Sequence, residues 1–176
     1  NLITNAGTST GCVFTLTTIV PGYTFSVQAT SCSDGTLIPV ITANSVTDDA
    51  SNVGPAVNPS ADRTGGPIVV DRTAPVASFT TVPPARTHGT LTYVLHFNEA
   101  IITTNSASES LSASDFTNAG TAAGCAISVA PIASTNDYTI TVSSCGNGTV
   151  SLTLVDDAVQ DLATNSGQVG IIAAGV

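Results

Sequence analysis

An all-β chain built from tandem antiparallel sandwiches is predicted by three observations: an ungapped internal repeat, strict two-residue alternation of apolar side chains, and two equivalent cysteine pairs. Residues 4 to 54 reappear at residues 117 to 167. Thr4-Asn5-Ala6-Gly7-Thr8 matches Thr117-Asn118-Ala119-Gly120-Thr121, Gly11-Cys12 matches Gly124-Cys125, Cys32 matches Cys145, and Gly35-Thr36 matches Gly148-Thr149. Asp48, Ala50, Asn52 and Gly54 match Asp161, Ala163, Asn165 and Gly167 in the same frame. The second copy can be followed from Asp71 to the C-terminus, whereas Asn1 aligns with Ser114, so the first copy lacks roughly its opening 40 residues. The expected organisation is a partial repeat with its linker over 1–70 and a complete repeat over 71–176. The chain reads as a piece of an array, a processed product, or a subunit whose missing strands come from a neighbour.

Each strand of the complete copy is marked by its own pattern. Leu91, Tyr93, Leu95 and Phe97 share one face while Thr92 and His96 take the other; Tyr138, Ile140 and Val142 repeat the alternation, as do Val150, Leu152 and Leu154. Val, Ile and Thr suit a pleated, half-buried surface. Seven strands are predicted, at about 75–81, 90–97, 111–118, 123–130, 137–143, 149–155 and 168–174. Residues 157 to 164 allow one short turn of helix at most. Seven short strands in about a hundred residues are the pattern of an immunoglobulin-type sandwich, so the fold class is tandem immunoglobulin-like sandwiches, the second complete and the first truncated. Asn147-Gly148 and Asp34-Gly35 place glycine where a tight turn needs positive φ, and leave open whether the chain makes a hairpin there or crosses between sheets. The Pro- and Gly-rich stretch from Gly54 to Pro75 joins the copies and contributes a last strand to the first. Pro39 replaces the inward Leu152, which marks an edge or a bulge and leaves it open whether the two ladders are identical.

Composition restricts the function classes. Hydrophobic residues make up 42% of the chain and charged residues 9%, so solubility rests on hydroxyls and amides, an unusual surface for a cytoplasmic protein. Lysine is absent and the cations are Arg63, Arg72 and Arg86; with a net charge of −9, no phosphate-neutralising patch can form. Nucleic acid and anionic lipid are therefore excluded as expected partners, and no segment is long and apolar enough for membrane insertion. An acidic surface attracts divalent cations instead. Cys12 with Cys32 and Cys125 with Cys145, each pair inside one copy, read as disulfides in an oxidising compartment, each closing a loop of about 20 residues and stabilising by about 3 kcal/mol.

Val70-Asp71-Arg72-Thr73-Ala74-Pro75, Leu95-His96-Phe97-Asn98-Glu99-Ala100-Ile101, Ala113-Ser114-Asp115-Phe116 and Asp161-Leu162-Ala163-Thr164-Asn165 occur in that order. Together they resemble the bacterial Ig-like repeat domains of large secreted and surface proteins, over about 100 residues of the second copy and about 55 of the first. The resemblance implies a non-enzymatic stalk or spacer of an adhesin or matrix protein at the cell surface, its partners being neighbouring repeats, copies of itself or a surface component. It also implies stiffening by calcium.

In an immunoglobulin-type sandwich the chain entrance, the loop after the second strand and the loop before the last strand meet at one pole. That gathers Asp71, Glu99, Asp156, Asp157, Asp161 and Asn165 as candidate ligands for calcium, which takes six to eight oxygens. The alternative is that Asp161 and Asn165 make Asx-turns. The first copy is poorer, with Asp48, Asp49 and Asn52 alone. His88 and His96 show no catalytic partner, the two glutamates Glu99 and Glu109 form no evident dyad, and no nucleophile elbow, phosphate loop or zinc motif occurs. No enzyme is expected. Without lysine no Lys–Asn cross-link can form, so disulfides take over that role, and the absence of Trp weakens a sugar-binding reading. If the first copy is truly open, Phe14, Phe25 and Val27 are exposed unless a partner chain supplies strands, which makes a head-to-tail filament the second expectation and a ligand-binding adhesive module the third.

Overall fold

The computed structural model describes residues 2–55, 67–104 and 110–167. They divide into two compact units, Asn1–Thr73 and Ala74–Val176. Among the described residues the structure is all-β, apart from one turn of 3-10 helix at Ala113–Asp115. The predicted strand at 168–174, Arg63 and Glu109 lie outside the described residues.

In the first unit the strands are β1 (Ile3–Asn5), β2 (Val13–Val20), β3 (Thr24–Thr30), β4 (Gly35–Leu37), β5 (Pro39–Ile41), β6 (Val46–Thr47), β7 (Val53–Gly54) and β8 (Ile68–Val70). They pair antiparallel as β1 with β5, β2 with β3, β4 with β8 and β6 with β7. β8 is the last strand expected within the linker, and its seat is reinforced by Asp34, whose carboxylate accepts the Arg72 N–H at 2.8 Å and the Thr73 hydroxyl at 2.6 Å. Among the described residues few apolar side chains of this unit are buried: Ile3, Leu37, Val40 and the half-cystine Cys32.

The second unit carries β9 (Ala77–Thr81), β10 (Leu91–Phe97), β11 (Ile102–Thr103), β12 (Phe116–Asn118), β13 (Ala126–Pro131), β14 (Asp137–Ser143), β15 (Leu152–Leu154) and β16 (Val159–Gln160). A four-stranded sheet in the order β13-β14-β10-β9 faces two small pairs, β12 with β15 and β11 with β16. The alternation read from sequence is the alternation of burial. Tyr93, Leu95, Phe97, Ile140 and Val142 are sealed under the large sheet, and Leu111, Phe116, Leu152, Leu154 and Val159 close the core from the small pairs. Two edge-on ring contacts, Phe79 with Tyr93 and Phe97 with Tyr138, at 5.8 and 6.0 Å between centroids, fill its ends. This is a β-sandwich-like arrangement with small sheets.

Register is conserved between copies. Ile3 faces Ile41 and Asn5 faces Pro39 in the first unit; Phe116 faces Leu154 and Asn118 faces Leu152 in the second, each 113 residues on. The question raised by Pro39 is thereby answered: it sits on an edge strand, where its missing N–H leaves no ladder bond unmade. The Gly35 and Gly148 turns, at φ 137° and 150°, carry the chain from the sheet of β3 or β14 to a different sheet, so they are crossings and not hairpins.

Several expectations are corrected. The strand expected at 111–118 starts only at Phe116, because Ser112 and Asp115 form a reciprocal capping box around the 3-10 turn. Residues 157 to 164 hold the strand β16 and hydrogen-bonded turns where a helical turn was allowed. The strand expected at 149–155 is shortened to Leu152–Leu154, since Thr149 is tied sideways to Thr121.

Candidate functional site

The residues shared by the two copies are those that hold the backbone. Asn118 accepts the N–H groups of Gly120 and Ser151 on its Oδ1, both at 2.8 Å, and donates from Nδ2 to the Ala122 carbonyl at 2.9 Å. Asn5 repeats this with Gly7, Ile38 and Ser9 at 2.9, 2.7 and 2.7 Å. The threonines on either side form a reciprocal clamp. Thr8 N–H donates to Thr36 Oγ1 at 2.9 Å and Thr36 N–H donates to Thr8 Oγ1 at 2.8 Å, with Thr121 and Thr149 at 3.1 and 2.9 Å in the second copy. Gly7 and Gly120 lie so close to the facing backbone that a β-carbon would stand 2.1 Å from the carbonyl oxygen of Thr36 or Thr149. That approach explains a glycine inside the Thr-Asn-Ala-Gly-Thr motif.

Next to these clamps the cysteines are joined as predicted, Cys12 with Cys32 and Cys125 with Cys145, each spanning 20 residues. They close the hairpins β2-β3 and β13-β14 at the ends that lead into the clamped loops. Two disulfides fit an oxidising compartment. Among the described residues no helix is long and apolar enough to cross a membrane.

The expected pole forms within the second unit. Val76 and Asn98 exchange hydrogen bonds, the Val76 N–H to Asn98 Oδ1 at 2.7 Å and the Asn98 N–H to the Val76 carbonyl at 3.1 Å. Gly167 abuts Val159 and Pro75, its N–H bonding the Val159 carbonyl at 2.7 Å. Entrance, post-β10 loop and final loop thus come together. Glu99 and Asp161 bring carboxylate oxygens within 4.8 Å of one another there. Asp71 belongs to the closing residues of the first unit. Asp156 and Asp157 are exposed on the turn after β15, Asp157 at φ 55°, and are not in that group of acids.

Asp161 is only 2% exposed, and what it does is local. Its Oδ1 accepts the Asn165 N–H at 2.8 Å and its Oδ2 accepts the Asn165 Nδ2 at 2.6 Å, closing the Asx-type loop that had been weighed against a metal site. In the first copy Asp48 accepts from Ala50, Asn52 N–H and Asn52 Nδ2 at 2.9, 2.8 and 2.9 Å. The staples seen in both copies are covalent and hydrogen-bonded.

Burial is the largest influence on the Asp161 carboxyl and pushes it up, but the bonds from Asn165, Ala163 and Thr164 together outweigh it and hold it below 3.8. The Asn52 amide does the same for Asp48, which is fully exposed. A carboxyl depressed in the folded state gives stability that is complete above its unfolded value and fades as pH falls through the folded one. Between about pH 5 and about pH 2 the melting temperature of the second unit should therefore fall further in the wild type than in Asp161→Asn. Parallel acid titrations of near-ultraviolet tyrosine signal check this, and superimposable slopes would remove the Asp161 staple.

Comparison with known protein families, characterised proteins and solved structures finds no match. The two copies can be read against each other over residues 4–54 and 117–167.

One arrangement had not been anticipated. His96 has a partner after all: its Nδ1 lies 2.5 Å from Asp137 Oδ1 across the β10-β14 ladder, and Ser78 faces it across β9-β10. Serine, histidine and aspartate thus form a row on the outer face of the sheet. The serine makes no bond to the imidazole among the described residues, and a nucleophile must be in reach of its base. The pair is read as a cross-strand contact. Only the register could reveal it, since 41 residues separate His96 from Asp137.

Proposed function

We propose that this chain is part of a non-enzymatic tandem array of immunoglobulin-like repeats outside the cell, working as a mechanical spacer of a surface or matrix protein. The supporting observation is the doubling of the same staples at the same positions: one disulfide over 20 residues, one asparagine bonded to three backbone groups, one threonine clamp and one Asp-Asn loop per copy. Selection for chemistry would preserve a site. Here what is duplicated is the hardware that resists shear between neighbouring loops. A charge-poor, Thr- and Ser-rich surface without lysine suits an exposed, protease-rich setting, because it offers trypsin-like enzymes only three arginines.

Pulling the full chain by its termini in single-molecule force spectroscopy tests this. Two resolvable unfolding steps are expected, and reduction of the disulfides should lengthen each by about 70 Å, the reach of the 20 residues hidden behind each bond. Extension without measurable resistance, or steps indifferent to reductant, would remove the mechanical reading.

A further inference from the structure

We propose that Asp34 is the latch of the connector between repeats: it carries the order of the first unit forward to Thr73 and shields the Arg72–Thr73 peptide bond from trypsin-like proteases. This deepens the spacer reading above and rests on it, since an extracellular array lasts only as long as the chain between its units.

The latch stands on a fixed base. Two residues before it, Cys32 is bonded to Cys12. Between them Ser33 donates its N–H to the Thr10 carbonyl at 2.8 Å, and its own carbonyl accepts the Ser9 hydroxyl at 2.6 Å. One residue after the latch Gly35, at φ 137°, lies where a β-carbon would stand 2.7 Å from the Ser9 nitrogen. The backbone on both sides of Asp34 is thus held against residues 9–12, and the carboxylate is presented from a rigid turn.

What it holds is the exit of the unit. The ladder of β4 with β8 ends at Gly35 opposite Val70. Beyond that pair, one carboxylate oxygen of Asp34 accepts the Arg72 N–H at 2.8 Å and the other accepts the Thr73 hydroxyl at 2.6 Å. The Thr73 N–H is turned back to Asp71 Oδ1 at 3.0 Å. Pro75, fully buried, already belongs to the second unit, where the Val76 N–H donates to Asn98 Oδ1 at 2.7 Å. Ala74 is left between the two sets of contacts, and the proline after it confines its backbone to extended conformations.

Arg72 is exposed, so its side chain is within reach of a protease that cuts after arginine. Its backbone is held back. Such an enzyme needs the bond in an extended segment released from its own partners, so cleavage waits on local opening and its rate follows the population of the open form. Opening here requires that both charge-assisted bonds to Asp34 break together.

The test digests the full chain with trypsin and follows initial cleavage after Arg72 and after Arg86 by mass spectrometry. Arg86, in the exposed loop between β9 and β10, is the internal reference. Asp34→Ala should speed cleavage after Arg72 at least about fivefold, the weight of one net hydrogen bond, and leave cleavage after Arg86 unchanged. The Arg72 amide should lose hydrogen-exchange protection with it, while Gly7 and Ile38, held by Asn5, keep theirs and report a folded first unit. Asp34→Asn is the second variant, because Asn147 occupies the same place in the other copy. With one acceptor oxygen in place of two it should fall between wild type and alanine, and it carries the test if alanine costs Gly7 and Ile38 their protection. Wild-type cleavage as fast after Arg72 as after Arg86, or cleavage after Arg72 indifferent to both substitutions, would overturn the latch. Failure here with reductant-sensitive unfolding steps still present would leave the spacer standing.

Discussion

Replacing Ile140 by alanine is expected to cost the second unit about 2–5 kcal/mol, whereas Val27→Ala, at the equivalent position of the first unit, should cost about 0.5 kcal/mol. The two side chains occupy one place in the repeat, 113 residues apart. Ile140 faces Tyr93 and Val129 within a sealed core, so truncation leaves a cavity in addition to the lost transfer energy. Val27 is 44% exposed and paired on one side only, so its truncation removes little from a packed environment. Denaturant titration read through the resonances of each unit separates the two values. Equal penalties would mean that the first unit has a closed core after all.

The second large effect concerns the disulfides. Substituting serine for both Cys125 and Cys145 should lower the stability of the second unit by about 3 kcal/mol, as expected for releasing a loop of this length in the unfolded chain. At about 4–8 °C per kcal/mol for a domain of this size, its melting temperature should drop by roughly 15 °C. Tyr93 and Tyr138 both pack edge-on against phenylalanines in this unit, while Tyr23 is 87% exposed, so the near-ultraviolet tyrosine signal follows the second unit. The matching change at Cys12 and Cys32 should be harsher in its consequence. With Ile3, Leu37, Val40 and the half-cystine itself as the buried apolar set, the first unit has little to set against a loss of about 3 kcal/mol, and loss of its ordered resonances is expected. Indifference of both units to their cysteines would leave the clamps as sole staples.

Much of this fold is legible in the sequence. The repeat revealed the two copies, and the alternation of Leu91 to Phe97 and of Tyr138 to Val142 gave the buried face, because period two admits one reading on a half-buried strand. Disulfide pairing followed from equivalence. The meeting of three segments at one end also followed from the strand order, yet what Asp161 does there did not. Whether a carboxylate binds an ion or its own loop is decided by where the next amide lies, and Asn165 four residues on takes both oxygens. The strands β11 and β16, two residues each, are too short to show a period. The 3-10 turn was hidden because Leu111 and Phe116 are both buried and mimic a strand, although Ser112 and Asp115 carry a capping signature that could have been recognised. The bonds from Asn118 to Ser151 and from Thr121 to Thr149 cross 33 and 28 residues, so motif conservation between copies was the one local sign of them.

Amide hydrogen exchange on the resting chain compares the copies most directly. Loop amides that the staples hold, Gly7 with Gly120 and Ile38 with Ser151, should be protected in both copies, while Ile140 and Val142 exchange far more slowly than Val27 and Ala29. That result is what one stapled repeat, closed in the second unit and open in the first, requires. Matching protection along β3 and β14, or stapled loops protected in one copy alone, would contradict it.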